Sequence, residues 1–154
     1  MDPRVVTILL PATRQPLRAD PSRFRLEDYP GSGQSILVVD DVRMQRDVCV
    51  AMLRKLGYSA TSVGSGEEAI EHLARHPVDL LVLDMIMEPG IDGLETYEAI
   101  VRTHPGLKAI IASGFAETEQ VKQTQALGAG AYLRKPFSLE KLAVAVHTEL
   151  HGSD

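Results

Sequence analysis

Tryptophan is absent from this chain, cysteine occurs once, and no apolar stretch is long enough to cross a bilayer. Each lack excludes something. A lone cysteine, Cys49, cannot form an internal disulfide, which fits a reducing compartment, and its place in a helical apolar pattern makes it a small core residue. The longest apolar run near the start, Val5 to Leu10, ends on Pro11 and falls far short of the roughly 20 residues a spanning helix needs. With no signal-peptide pattern either, the chain reads as cytoplasmic, with no membrane contact of its own. Basic excess is also missing: 16 Lys and Arg stand against 21 Asp and Glu, for a net charge of −5. A nucleic-acid surface begins with a basic patch, so no nucleic-acid partner is expected. The 154 residues suffice for one core with some length to spare.

What is present divides into two unequal parts. Residues 1–34 hold five of the nine prolines (Pro3, Pro11, Pro16, Pro21, Pro30), with arginines between them and Gly31-Ser32-Gly33 at the end. That composition predicts an arm or linker, and 35–151 is expected to form the domain. Val5 to Leu10 has strand character but no partner strand nearby in sequence.

From Ile36 onward, apolar runs of strand length alternate with segments of helical period. Leu80 to Leu83 shows no alternation, as in a strand covered on both faces, and stops on Asp84. Ile36 to Val39 is similar and stops on Asp40 and Asp41. Tyr58 to Val63, Leu107 to Ala112 and Gly130 to Leu133 complete five predicted strands. Between them, Met44, Val48, Met52 and Leu56 predict one inward helical stripe, closed by Gly57. Ser65 and Asp92 open two further helices with capping signals, the first carrying Ala69, Ile70 and Leu73, the second Leu94, Tyr97, Ile100 and Val101. A weaker helix, about 117–127, has only Val121 and Leu127 as a thin stripe and is expected to be loosely held. Ser138 caps the last, with Leu139, Leu142, Val146 and Leu150. Five strands alternating with five helices predict an α/β, flavodoxin-like fold: a doubly wound, five-stranded parallel sheet in the order 2-1-3-4-5.

In that order the first and third strands are neighbours, so Asp40, Asp41 and Asp84 converge at the carboxyl rim of the sheet. Ser113 and Lys135 end the fourth and fifth strands on the same rim. Crowded carboxylates call for protonation or a hard divalent cation, and Mg²⁺ prefers oxygen ligands that a phosphate can share. Beside such an ion, a carboxylate such as Asp84 is placed to attack phosphorus, Lys135 to neutralise the transferred group, and the Ser113 hydroxyl to donate to one of its oxygens.

Asp40-Asp41, Leu83-Asp84, Asp92-Gly93, Ser113-Gly114 and Lys135-Pro136-Phe137, in this order and at these spacings, resemble the receiver domain of two-component response regulators over about residues 35–150. The resemblance implies Asp84 as phosphoacceptor, Asp41 as a direct Mg²⁺ ligand, Asp40 as a ligand acting through water, and the Ile86 backbone carbonyl as a further ligand. It also implies Ser113 and Lys135 as phosphoryl-holding groups and Tyr132 as the aromatic switch. The implied phosphoryl donor is a histidine of a sensor histidine kinase or of a histidine phosphotransfer domain, and a second copy of the chain is a further candidate partner. No stand-alone enzyme is expected beyond phosphoryl transfer onto itself and slow autodephosphorylation.

One departure stands out. Glu88 separates Met87 from Pro89, lengthening by one residue the loop that usually runs Asp-x-x-Met-Pro, and it adds a carboxylate near the metal. This form of the loop and Ser113-Gly114-Phe115 resemble receivers fused to the C-terminus of hybrid sensor histidine kinases. Val5 to Thr13 resembles the last strand of the kinase ATP-binding domain. Two other classes compete. A haloacid dehalogenase-type phosphotransferase carries a second acid two residues after its nucleophile, where this chain has Ile86. A pseudo-receiver, a docking module independent of phosphorylation, loses part of the acidic set or the lysine, and here all are present. The pairs His72/His76 and His147/His151 have metal-compatible helical spacing but no third ligand in their segments, and are read as solvated helix ends.

Overall fold

The computed structural model describes residues 25–152. Five parallel strands, β1 (Ser35–Val39), β2 (Ser59–Val63), β3 (Leu80–Asp84), β4 (Lys108–Ser113) and β5 (Tyr132–Arg134), form one sheet in the order β2-β1-β3-β4-β5. Five helices alternate with them: α1 (Arg43–Lys55), α2 (Gly66–Arg75), α3 (Gly93–Thr103), α4 (Glu119–Ala126) and α5 (Leu139–His151). This is the order and alternation expected. Every residue of β3 is buried, because both faces of the sheet are covered, and its unbroken apolar run reflects that.

Side chains of a strand alternate between faces, and the core accordingly splits in two. Ile36, Val38, Leu80, Val82 and Ile110 point into one cluster with Leu53 of α1 and Leu142 and Val146 of α5. Leu37, Val39, Leu81, Leu83 and Ile111 point into the other, with Leu73 of α2, Tyr97 and Ile100 of α3 and Val121 of α4. The helix starts follow the capping signals. Asp92 and Glu95 form a reciprocal capping box on α3, and the side chains of Ser65 and Ser138 accept from Glu68 N–H and Lys141 N–H. A Cβ on Gly93 would lie 2.5 Å from the Asp84 carbonyl oxygen. Only glycine lets α3 start so close to the end of β3, and this short return fixes the rim on which Asp84 sits.

The inward stripe expected of α1 is corrected at Met44 and Val48, while Leu56 is buried and Met52 packs against the first cluster as expected. Cys49 and Leu53 are the buried helix positions, with Leu56 just beyond, whereas Met44 is 76% and Val48 53% exposed. Two apolar stripes share this helix, and periodicity alone does not tell which one meets the sheet. In α4 Val121 is buried as expected, but Thr124 takes the second inward place and Leu127 is exposed.

Residues 25–34, expected as the end of the arm, touch the domain. Gly31 N–H donates to Leu56 O (2.8 Å) and Gly33 N–H to Gly57 O (2.9 Å). Leu26 and Tyr29 pack on the first cluster, and the Tyr29 ring meets that of His147 edge-on at 5.6 Å. The strand character of Val5 to Leu10 lies outside the described residues. Tyr29→Ala is therefore expected to lower stability by about 1–2 kcal/mol, the usual size for a half-buried aromatic contact. A denaturant midpoint equal to that of the parent chain would show that this docking contributes nothing.

Candidate functional site

Asp40 and Asp41 follow β1, Asp84 ends β3, and the two strands are adjacent with Val39 opposite Leu83. The three side chains offer carboxylate oxygens that all lie within 4.8 Å of one another. Among the described residues this is the one group of three or more metal-ligating side chains. Lys135, just beyond β5, reaches back across the rim. Its ammonium donates to Asp40 Oδ2 at 2.6 Å and Gln45 Oε1 at 2.7 Å, and lies 3.3 Å from Asp84 Oδ1. Three acceptors match the three N–H groups of an ammonium. Sequence reasoning missed Gln45. Its signal was its place in the first turn of α1, four residues after Asp41.

The two neighbouring acids differ in how free they are. Asp40 is buried, receives the Lys135 contact and accepts Val42 N–H on Oδ1 at 2.8 Å. Asp41 is less buried and, among the described residues, accepts only the long bond from Glu88 N–H, 3.3 Å to Oδ2. Burial pushes the Asp84 carboxyl up from 3.8 to about 6; Lys135 opposes this, and the charges of Asp40 and Asp41 add to it. Three carboxylates against one ammonium leave the rim short of positive charge. An oxygen-only donor set with that deficit suits a hard divalent cation.

Ser113 ends β4, buried at the same rim, but its hydroxyl accepts Phe115 N–H at 3.2 Å rather than touching the acids. Tyr132 on β5 donates its hydroxyl to the Phe115 carbonyl. Both thus meet on one residue, the exposed Phe115. Ile86, 47% exposed, and Phe115, 60% exposed, line an open depression of about 720 Å³ that contains the acids and Lys135 and runs along the outer stripe of α1, Met44 and Val48. Cys49 also lines it, but burial pushes its thiol up to about 12, so it stays protonated and is no nucleophile. The rings of each histidine pair lie against one another at a tilt, centres 5.0 Å apart for His72 and His76 and 4.3 Å for His147 and His151, and neither pair belongs to a three-ligand group.

The sequence profile of the response regulator receiver domain matches residues 36–147. The chain belongs to that family. This receiver is 35% identical over 129 residues to the sensor kinase CckA of Brucella abortus, covering 82% of this chain and 13% of the kinase. It is 28% identical over 113 residues to sporulation initiation phosphotransferase F of Bacillus subtilis, covering 73% of this chain and 90% of that protein. Among solved structures it superposes on a CheY-like response regulator receiver domain protein from Methanospirillum hungatei with a TM-score of 0.72 and 27% identity, over 77% of this chain and 94% of that one. It is thus a receiver domain of two-component signalling. The chain spans only a small part of the kinase it matches and most of the phosphotransferase.

Proposed function

We propose that this receiver takes a phosphoryl group from a phosphohistidine onto Asp84. The observation that carries the reading is the convergence of Asp84, Asp40 and Asp41 within 4.8 Å with the Lys135 ammonium seated on two of them. An Asp84 carboxylate oxygen forms the bond to phosphorus as the donor's N–P bond breaks, the electron pair staying on the imidazole nitrogen. Lys135 meets one phosphoryl oxygen as charge builds there. Asp41, Asp84 and the Ile86 carbonyl would hold a Mg²⁺ ion, with Asp40 acting through water, and the ion would supply positive charge for the remaining phosphoryl oxygens. Ser113 leaves Phe115 N–H to donate its hydroxyl to the phosphoryl group, which loosens Phe115 and with it the anchor of Tyr132. That is the switch.

The donor is a sensor histidine kinase or a histidine phosphotransfer domain, and the apolar wall of the depression suits a partner that excludes water during transfer. The long alignment with a sensor kinase supports a further reading: residues 35–151 are the C-terminal receiver of a hybrid histidine kinase, residues 1–34 lead out of its ATP-binding domain, and the whole works in the cytoplasm. Incubation with a small phosphodonor and Mg²⁺ is expected to add one phosphoryl group to Asp84, located by peptide mass. A stable acyl phosphate elsewhere, or no Mg²⁺-dependent labelling, overturns the assignment.

The acids are predicted to contribute unequally to metal. Asp40 is already held by Lys135 and Val42 N–H, while Asp41 keeps an oxygen available. Asp41→Ala is expected to weaken Mg²⁺ binding more than Asp40→Ala does, by about tenfold or more for loss of a direct charged ligand. Equal affinity of Asp41→Ala and the parent chain in a titration would refute the order.

A further inference from the structure

The residue that lengthens the loop after β3 is built into the acidic site through its backbone. Glu88 N–H donates to Asp41 Oδ2, while the Glu88 side chain stays exposed. Three residues on, Ile91 N–H donates 3.1 Å to Oε2 of Glu67, a residue in the first turn of α2 that belongs to none of the motifs above. Between these two bonds lies Gly90 at φ +107°, so close to Glu67 that a Cβ there would stand 2.7 Å from Oε2. Met87 is buried in the second core cluster and pins the loop from below. A carboxylate from the end of β1 and another from the start of α2 thus hold the turn 88–91 from its two sides. A loop one residue longer has more conformations to lose, and a bond at each end is what removes them.

We propose that Glu67 is a positioning residue for the metal site: it clamps the lengthened loop in the conformation whose Glu88 N–H orients Asp41. The inference rests on the reading of Asp41 as a Mg²⁺ ligand. One Asp41 oxygen accepts the amide while the carboxylate stays gathered with Asp40 and Asp84, so a cation meets a ligand that needs little reordering. Without the clamp, the ordering of residues 86–91 falls on metal binding itself. The acceptor character of Glu67, rather than its charge, is what matters.

Calorimetric titration of the full chain with Mg²⁺ tests this, together with amide exchange of Ile91 in metal-free protein. Glu67→Ala is expected to weaken Mg²⁺ binding roughly fivefold, the worth of about one net hydrogen bond, and to speed Ile91 exchange. Glu67→Gln keeps an acceptor oxygen without the charge, and is expected to match the parent chain in both measurements. Unchanged affinity in Glu67→Ala overturns the clamp. Equal weakening in the Gln and Ala variants also overturns it, and assigns the effect to long-range charge. If the parent chain takes up no Mg²⁺ at all, the metal reading of Asp41 fails first and the inference fails with it.

Discussion

Asp84→Asn is expected to abolish phosphoryl acceptance and, at the same time, to make the metal-free domain more stable at pH 8. The first effect follows because an amide oxygen is no nucleophile toward phosphorus. The second follows from burial. Asp84 is only 7% exposed, and its carboxyl, lifted from 3.8 to about 6 chiefly by desolvation, holds its proton more tightly in the folded chain than in the unfolded one. For a group raised in this way the stabilisation is complete below pH 3.8 and is lost as pH rises through about 6. At pH 8 the ionised side chain costs on the order of 3 kcal/mol, and an uncharged isostere that can still accept from Lys135 recovers part of it. Denaturant unfolding without metal should therefore show Asp84→Asn more stable by about 1–3 kcal/mol at pH 8 and no more stable near pH 4. Added Mg²⁺ should narrow the gap by stabilising the parent chain through mass action. A variant no more stable than the parent at pH 8 would mean that the rim is better solvated than its burial indicates.

The second large effect concerns how long the acyl phosphate lasts. Hydrolysis needs a water in line with the Asp84–phosphorus bond, and Ile86 and Phe115 line the depression in which Asp84 sits. Neither can hydrogen-bond a water with its side chain. On phosphorylation Phe115 gives up its N–H bond to Ser113, and the shielding then rests on the apolar bulk of its side chain, which lines the depression. If the pair raises the barrier by about 1.4–2.8 kcal/mol, hydrolysis is slowed by roughly ten- to a hundredfold. Replacing Ile86 with Asn and Phe115 with Glu together is expected to restore that factor, followed as loss of the phosphoryl group with Mg²⁺ present. Decay that is unchanged or slower rejects the shielding and turns attention to the Glu88 loop. A slow clock of this kind suits a receiver that hands its phosphoryl group back or onward in a relay.

The strand order, the two layers of helices and the meeting of Asp40, Asp41 and Asp84 are legible in the sequence, for a local reason. Runs such as Leu80 to Leu83 state their own burial, capping residues such as Asp92 and Ser138 mark where helices begin, and in a parallel α/β sheet the carboxyl ends of the strands must share one rim. The residues 25–34 that pack under α5, the outward turn of Met44 and Val48, the seat of Lys135 on Gln45, the meeting of Ser113 and Tyr132 at Phe115, and the clamp of Glu67 on the lengthened loop were decided only by the tertiary structure. Each depends on how two segments distant in sequence approach one another. Periodicity reports that a side chain lies on an apolar stripe; which of two stripes meets the sheet, and which amide a carboxylate finds, are set by packing across the whole domain.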